Sequence, residues 1–458
     1  MTFSRRIFLA GAGAFAAFPR GVRASGFEIL KARVSHQNIA PNGYPETEIW
    51  GFDGMAPGPV IRVGQGERVQ RTFLNGLPQP GSVHWHGIRI DNAMDGVPGL
   101  TQDPVPPGGR FEYDFIAPDA GTFWYHSHNR TVEQVARGLY GALIVDEPDR
   151  PDIDADFPLA VDDWRLSPET AEIVQDFDNF RDRSHAGRLG NILTVNGTFD
   201  PVVRVRRNDR LRLRLINTAN ARVLQVGLNG LDGWIMALDG MPLDRPLPVT
   251  GAFTLAPGQR ADVFVDVMAN AGAGADLLSI ERDGGYGLMR FDVAAGGRTR
   301  RDAPAALPPN PMPDTGDPAA AELHTMTLEG GAMRGMGPAR LGDTVMSPRE
   351  LAQLGKFWAL SGQVDRGTKP FLTAARGETR RISFVNETAF AHGMHTHGHH
   401  FRVIAPDGTL GPWRDTLLVN PGQTRQIALH ADNPGDWLLH CHMLAHAAAG
   451  MMSWFKVT

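Results

Sequence analysis

Four histidine pairs of the form His-X-His and one cysteine are the side chains in this chain best suited to binding a metal. The pairs are His84/His86, His126/His128, His395/His397 and His440/His442. The cysteine, Cys441, is the only one in 458 residues and lies inside the last pair. Imidazole is a ligand for copper, zinc, iron or nickel, and eight imidazoles imply more than one ion. A single such pair on a strand is more often an ordinary hydrogen-bonded pair.

The spacing of the pairs repeats along the chain, which favours a shared site over four unrelated ones. Nine residues separate Asn75 from His84, and nine separate Asn386 from His395. The other two pairs each begin nineteen residues after the proline of a Pro-Gly turn. At nine and eleven residues after Asn217 the chain has valine and leucine instead. We therefore expect two matched sets of imidazoles at the contact between a first and a third domain, with none from a second domain.

Cys441 narrows the choice of metal. In a strand its side chain points away from the two flanking histidines, into the third domain. His392, His446 and Met451 could meet it there. Two histidines, a thiolate and a weak thioether are typical of a copper centre that transfers electrons. The thiol would then link that centre, through covalent bonds to its neighbours, to the histidine cluster.

Three weak repeats predict the elements that position these residues. Each repeat has a Gly-Pro start, a short apolar strand, a turn and an alternating strand, and the repeats end at Asn75, Asn217 and Asn386. With 53 glycines and 34 prolines, the composition favours short strands and many turns. We predict an all-β protein of three consecutive β-sandwich domains at residues 26–148, 157–297 and 321–458, with a Pro-rich linker at 298–320.

The first 24 residues predict a cleaved export signal. Arg5 and Arg6 precede an apolar stretch rich in small residues, and "VRA" ends in a plausible cleavage site after Ala24. This pattern is typical of signals that the twin-arginine export machinery recognises, and it predicts a periplasmic protein. The alternatives are that the segment is an ordinary secretory signal or an uncleaved anchor. The formal charge of −5 favours no nucleic-acid partner, and no later stretch predicts stable membrane insertion.

With these motifs, the chain resembles the three-domain multicopper oxidases, the family of laccases and bacterial cuprous oxidases. The segments that carry the resemblance are "HWHG", "HSH", "HGMHTHGH" and "HCHMLAHAAAGM". The resemblance implies three cupredoxin-like Greek-key domains and four copper ions. It assigns a type 1 copper to His392, Cys441, His446 and Met451, a type 2 copper to His84 and His395, and a type 3 pair to His86, His126, His128, His397, His440 and His442.

The implied reaction couples four one-electron oxidations at the type 1 copper to reduction of O₂ to water at the trinuclear cluster. The resemblance gives Asp95 a proton-relay or orienting role, although this residue could simply close the "MDG" turn. Relatives often carry glutamate where this chain has Ala445 and Ala447. The source of a second relay acid therefore stays open.

The electron donor is the least determined feature. We expect a phenolic or aromatic donor, as for a laccase. The alternative is a periplasmic cuprous oxidase, because Met333 and Met336 lie in a glycine-rich stretch where thioethers could bind Cu(I). These methionines could equally be packing residues. A copper-free structural relative is a third reading, which the complete set of ligand positions argues against.

Overall fold

The computed structural model describes residues 27–458. Strands make up 49% of it and helices 6%, which confirms the prediction of an all-β fold. The predicted export signal lies outside the described residues. Within residues 27–458, no helix is both long and apolar enough to cross a membrane.

The first pair of sheets contains four strands in each sheet, in the orders β2-β1-β4-β6 and β3-β8-β7-β5. The strands are β1 (Glu28–Gln37), β2 (Thr47–Phe52), β3 (Ile61–Gly64), β4 (Arg68–Asn75), β5 (Val83–His86), β6 (Arg110–Ile116), β7 (Gly121–Ser127) and β8 (Tyr140–Asp146). A 3₁₀ helix spans Asn92–Met94, and helix α1 spans Thr131–Ala136. We refer to this unit as the first sandwich.

The second sandwich pairs a six-stranded sheet, β10-β9-β12-β17-β14-β15, with a five-stranded sheet, β11-β19-β18-β13-β16. Its strands are β9 (Ala155–Trp164), β10 (Ile192–Val195), β11 (Val202–Arg207), β12 (Arg210–Asn217), β13 (Leu224–Asn229), β14 (Leu231–Leu238), β15 (Met241–Pro248), β16 (Phe253–Leu255), β17 (Arg260–Val267), β18 (Gly274–Glu281) and β19 (Gly284–Gly297). Helix α2 (Phe180–Ser184) lies in the long connection between β9 and β10.

The third sandwich pairs a nine-stranded sheet, β22-β21-β24-β23-β20-β26-β31-β28-β29, with a five-stranded sheet, β25-β33-β32-β27-β30. Its strands are β20 (Glu322–Gly330), β21 (Ala339–Leu341), β22 (Thr344–Met346), β23 (Trp358–Leu360), β24 (Gln363–Val364), β25 (Leu372–Ala374), β26 (Thr379–Asn386), β27 (His392–Thr396), β28 (Phe401–Ile404), β29 (Leu410–Arg414), β30 (Thr416–Val419), β31 (Thr424–His430), β32 (Gly435–Cys441) and β33 (Met452–Val457). A 3₁₀ helix covers Pro318–Ala320, and helices α3 and α4 cover Pro348–Gln353 and Leu444–Ala448.

The three asparagines that end the sequence repeats have the same structural role. The side-chain amide of Asn75 donates to the carbonyls of Gln79 and Val105, each at 2.8 Å, and its Oδ1 accepts from the backbone two residues later. Asn217 and Asn386 make the equivalent three bonds in the other two sandwiches. Each asparagine satisfies the backbone of the loop that leaves its strand, which explains why the repeat keeps its register.

Strand pairing then places the histidine pairs beside one another. In the first sandwich β5 and β7 are antiparallel neighbours, with His84 opposite His126. In the third, β27 and β32 are neighbours, with His395 opposite His440. Many buried apolar residues of these two sandwiches belong to one continuous cluster, whereas a separate cluster forms the main core of the second sandwich. The packing of first against third brings the two histidine sets face to face.

Candidate metal centre

Eight imidazoles meet between the first and third sandwiches. The His84 ring stacks on that of His397, and the His86 ring stacks on that of His395, each with centroids 3.8 Å apart. His442 lies 4.9 Å from His86, again between ring centroids. The remaining members are His126, His128 and His440. In several groups of three residues, the ligand atoms, one from each residue, all lie within 4.8 Å of one another. One such group is His84, His86 and His126.

Some ring nitrogens of this cluster form hydrogen bonds with the protein, whereas others keep their lone pairs available for a metal. His84 Nδ1–H donates to the carbonyl of Asp95 at 2.8 Å, and His440 Nδ1–H donates to that of Cys441 at 2.9 Å. Within residues 27–458, the buried ring nitrogens of the cluster that have no hydrogen-bond partner are His84 Nε2, His86 Nδ1, His126 Nε2, His128 Nε2, His395 Nε2 and both nitrogens of His442. Buried polar atoms are rarely left unpaired, so these nitrogens fit metal ligands.

Burial keeps six of the eight cluster imidazoles neutral and therefore able to coordinate. Desolvation lowers the pKa of His440 to about 3. Desolvation, reinforced by repulsion from neighbouring imidazoles, lowers the pKa well below 6.5 for His86, His126, His128, His397 and His442. At neutral pH these rings offer lone pairs without first losing a proton.

Asp95 lies fully buried at the edge of the cluster. Its Oδ2 is 2.9 Å from His397 Nδ1, and its Oδ1 is 3.2 Å from His84 Nδ1. It directly follows the 3₁₀ helix that ends at Met94. Asp95 therefore holds one histidine from each sandwich by its Nδ1, His397 through the carboxylate and His84 through the backbone carbonyl.

Asp415 is a second buried carboxylate against the cluster, and no motif or spacing in the sequence predicted it. Its Oδ1 lies 3.3 Å from His86 Nε2, and its carbonyl accepts from His395 Nδ1 at 2.9 Å. Arg260, on β17 of the second sandwich, binds both oxygens of Asp415 at 2.8 and 2.6 Å. Arg260 and its His86 and His395 neighbours hold the pKa of Asp415 well below its usual range, against the effect of burial.

The second sandwich also approaches the cluster through Gly258. A Cβ at this glycine would come within 2.9 Å of the His442 ring, and its φ of +83° lies in the left-handed region. Only a residue without a side chain allows the backbone so close to the imidazole. Val226 and Leu228, which correspond in the repeat to the histidines of the other two sandwiches, pack in and against the apolar core of this sandwich.

A separate site surrounds the thiol of Cys441. Its Sγ lies 3.6 Å from His392 Nδ1 and 3.8 Å from His446 Nδ1, and these two nitrogens are 3.1 Å apart. The outer ring nitrogens already have partners: His392 Nε2 is 2.8 Å from Thr388 Oγ1, and His446 Nε2–H donates to the carbonyl of His185 at 2.6 Å. The two Nδ1 atoms and the sulfur are thus the atoms left for a metal.

Two methionines are packed near the thiol. Met451 is fully buried in the same apolar cluster, and its backbone binds Cys441 and His446 through N–H···O bonds of 3.1 and 3.0 Å. Met443, which the sequence analysis did not consider, places its Sδ 3.8 Å from Cys441 Sγ. The thiol therefore has a thioether neighbour beyond the residue suggested by the family pattern.

The methionine candidates for Cu(I) binding have different surroundings. Met333 is 71% exposed. Met336 is partly buried and packs against a small apolar cluster that contains Ala339 and Leu351. Its contacts are those of a packing residue, whereas Met333 faces solvent.

The two sites and the sandwiches that hold them define a metalloprotein with one thiol-containing redox centre beside a cluster for several ions. Models of the multicopper oxidase family match residues 33–150, 155–274 and 343–458. Multicopper oxidase MmcO of Mycobacterium tuberculosis is 30% identical over 446 residues, which cover 89% of this chain and 83% of MmcO.

Solved structures agree over nearly the whole chain. Lac15 from a marine microbial metagenome has 44% identity and a TM-score of 0.77, covering 94% of this chain and 100% of Lac15. The laccase-like multi-copper oxidase CueO of Ochrobactrum sp. has 26% identity and a TM-score of 0.79, covering 95% of this chain and 98% of CueO. The chain belongs to the multicopper oxidase family, and it is therefore a copper oxidoreductase that uses oxygen.

Proposed function

We propose that this protein is a laccase-like oxidase that takes single electrons from phenols or aromatic amines and passes them to O₂. For a phenol the balance is four phenols and one O₂ giving four phenoxyl radicals and two waters. Each phenol loses one electron and its hydroxyl proton, and the four protons end in water. The donor class is supported by the laccase-like description of CueO of Ochrobactrum sp., which also names oxidase activity towards lignin model compounds.

The observation that carries the proposal is the position of Cys441 between the two sites. Its thiol contacts His392 and His446, while its covalent neighbours, His440 and His442, belong to the eight-histidine cluster. Two covalently linked sites of this kind can collect electrons at one place and use them at another. Bound copper would supply the one-electron redox chemistry and the binding of oxygen.

We assign four copper ions, as the family pattern implies. His392, Cys441, His446 and Met451 would hold the type 1 copper. The cluster would hold the type 2 copper at His84 and His395, and the type 3 pair at His86, His126, His128, His397, His440 and His442. The unpaired ring nitrogens and the buried sulfur fit copper, which accepts imidazole and thiolate ligands.

The protein's own groups orient these ligands and handle protons. Asp95 holds the rings of His84 and His397 and would pass protons to the cluster. Asp415 fixes His86 and His395. Among the described residues, these are the carboxylates in contact with cluster histidines, and Ala445 and Ala447 contribute no acid. Asp95 is accordingly our choice for the proton-relay residue.

A cuprous oxidase role is not favoured. The curated relatives include several laccases, and Met336 packs into an apolar cluster instead of facing solvent beside Met333.

We further propose that residues 1–24 direct export to the periplasm by the twin-arginine route. Replacing Arg5 and Arg6 by lysine should then keep a reporter fused to this segment in the cytoplasm.

Oxygen uptake by the copper-loaded protein tests the proposed function. We expect four copper ions per chain and rapid uptake with 2,6-dimethoxyphenol, at four phenols oxidised per O₂. Cu(I) should support slower uptake, and replacing Met333 and Met336 by leucine should leave both rates within about twofold. Faster uptake with Cu(I) that depends on these methionines would instead establish a cuprous oxidase. No uptake with the phenol at full copper occupancy would contradict the proposal.

A further inference from the structure

A cavity of about 390 Å³ reaches the histidine cluster from the protein surface. Its lining includes two cluster residues, His128 and His440, together with Ala447 of helix α4. His128 keeps partial exposure, whereas the other seven cluster histidines are buried. Water and protons can therefore pass between solvent and the cluster through this cavity.

Oxygen reduction at the cluster depends on a supply of protons, because one O₂ takes up four electrons and four protons to give two waters. Asp95 contacts cluster rings but has no exposed surface, so it must itself regain a proton after each transfer. Val97 and Pro98, in the loop that follows Asp95, line the cavity. Ala445 and Ala447 have no ionisable group that could take protons from it. A group that exchanges protons with solvent in the cavity would complete the supply.

Asp365 is the one carboxylate in the lining of this cavity, counted over residues 27–458. It directly follows strand β24, and its side chain is 28% exposed. Its backbone N–H donates to the carbonyl of Gly450 at 2.8 Å, and its φ of +57° lies in the left-handed region. Aspartate and asparagine adopt this conformation more readily than most side chains do. The backbone thus holds the residue at the cavity wall, with its carboxyl accessible to solvent.

Lys356 fixes the position of this carboxyl. Its Nζ donates to Asp365 Oδ1 at 2.8 Å and to the carbonyl of Ala448 at 3.0 Å. Ala448 is the last residue of helix α4 and directly follows Ala447. One ammonium group therefore joins the carboxyl of Asp365 to the helix end where relatives often carry a glutamate.

Positive charge exceeds negative charge in the rest of the cavity lining. Arg130, Lys356 and Arg366 line it together with Asp365. An excess of positive charge repels hydronium and so slows its entry. The carboxylate of Asp365 attracts a proton in these surroundings, and the side chain is neutral once it carries that proton. A carboxyl at this position therefore offers protons a place to bind between solvent and the cluster.

We propose that Asp365 is a proton-relay residue that supplies the cluster through this cavity. Its carboxylate takes one proton from solvent, and the resulting carboxylic acid gives one proton to water inside the cavity, which carries it to the cluster. No electron passes through Asp365, and its charge is restored after each transfer. This inference rests on the oxygen-reducing half of the proposed function and not on the identity of the electron donor.

The first test measures proton uptake directly. Copper-loaded protein is reduced without oxygen and then mixed with oxygenated buffer that contains a pH indicator. Asp365→Asn, which suits the same backbone conformation, should slow proton uptake at least about tenfold, with an unchanged copper content and blue absorbance. Steady-state oxidation of hexacyanoferrate(II), a donor that releases no protons, should slow more as the pH rises, because hydronium that could replace the relay becomes scarcer. Proton uptake at the wild-type rate would overturn the relay.

Two further variants separate a relay from a structural role. Lys356→Met removes the same ion pair but keeps the carboxyl, so it should slow proton uptake by no more than about threefold. Asp436→Asn removes an exposed ion pair with Lys456, of 2.9 Å, in the same sandwich and should behave as wild type. Equal slowing in Lys356→Met and Asp365→Asn would mean that the ion pair only supports the cavity wall, and it would overturn the relay.

The second test replaces the lost carboxyl by a small acid. Acetic acid is small enough to enter a cavity of about 390 Å³ and can carry protons as the side chain did. Acetate should raise proton uptake by Asp365→Asn at least about fivefold and change that of wild type less than about twofold, whereas chloride at the same ionic strength should raise neither. A variant that acetate does not accelerate would overturn the relay. Reduced wild-type protein that consumes no O₂ would overturn the proposed function together with this inference, whereas normal O₂ consumption that Asp365→Asn leaves unchanged would overturn the inference alone.

Discussion

Among single residues, Cys441 has the environment with the clearest chemical consequence. Burial raises the pKa of its thiol to about 12. Without a metal the sulfur therefore carries its proton at neutral pH, and a copper ion must displace that proton to bind the thiolate. The two Nδ1 atoms within 3.8 Å of the sulfur need no such step, because burial lowers the pKa of His446 to about 4 and that of His392 well below 6.5.

The variant Cys441→Ser tests this role directly. Serine preserves the size of the side chain but replaces the soft sulfur by a hydroxyl that binds copper poorly. We expect loss of the blue absorbance, loss of one copper per chain and loss of oxidase activity by at least about a thousandfold, with an unchanged circular dichroism spectrum. The measurements are visible absorption, metal analysis and oxygen uptake. Turnover at a rate near that of wild type would remove Cys441 from the electron path.

At the scale of elements, strand β17 of the second sandwich supports cluster histidines that lie on strands of the other two sandwiches. Arg260 reaches from β17 to Asp415, between β29 and β30, and Asp415 in turn contacts His86 and His395. Arg260 has no exposed surface. A buried charge of this kind is tolerated only when its hydrogen bonds are satisfied, and here the carboxylate and three backbone carbonyls accept them.

Breaking this contact should disturb the cluster more than the fold around it. Asp415→Asn keeps the shape of the side chain but weakens its interaction with Arg260 and its contacts with His86 and with His395, whose Nδ1 lies 3.5 Å from Asp415 Oδ1. We expect oxygen reduction to slow by about 10- to 100-fold and the electron paramagnetic resonance signal of the type 2 copper to change, while the blue absorbance stays at its wild-type position. The control is Asp232→Asn, an exposed partner of Arg300 in the same sandwich as Arg260. An unchanged type 2 signal in Asp415→Asn would show that Arg260 only stabilises the fold.

The histidine pairs on strands β5, β7, β27 and β32 could be predicted from the sequence, whereas the contact between Arg260 and Asp415 could not. The histidine pairs were visible because a strand alternates its faces and because the repeated asparagines keep each pair in register. The all-β fold followed from the same repeats. The Arg260–Asp415 contact and the hydrogen bond from His446 to His185 were not predictable, because they join positions 155 and 261 residues apart and depend on how whole sandwiches pack. Met443 was missed because only its packing reveals the contact with the thiol.

At the scale of the whole molecule, the second sandwich joins the other two through buried charges. Arg212, on β12, binds Glu147 at the end of the first sandwich and Asp262 on β17, and all three side chains are almost fully buried. Arg214 reaches Thr122 of the first sandwich at 3.1 Å. On the other side, Gln259 donates to the carbonyl of Thr416 in the third sandwich at 2.8 Å. The second sandwich, which contributes none of the eight cluster histidines, thus bridges the two sandwiches that contain them.

Six of the buried cluster imidazoles also make the stability of the metal-free protein depend on pH. Their pKa values fall well below 6.5 in the folded state, to about 3 for His440, whereas in the unfolded chain they return to about 6.5. Below pH 6.5 the unfolded chain therefore binds more protons than the folded one, and acid favours unfolding. Each such histidine costs about 1.4 kcal/mol of stability per pH unit below 6.5 and nothing well above it.

We therefore expect the free energy of unfolding of the copper-free protein to be nearly constant between pH 7 and 8 and to fall by several kcal/mol towards pH 5.5. Urea titrations at each pH measure it. His440→Gln removes one of these groups, so its stability should fall less steeply, by about 1.4 kcal/mol per pH unit. His36→Gln, at an exposed position on β1, should keep the wild-type slope.

Copper at saturating concentration should raise the stability at pH 7, because the folded state alone presents the assembled ligands. A metal-free protein whose stability did not change from pH 7 to 5.5 would mean that these histidines are already open to solvent, and the closed cluster described here would be wrong.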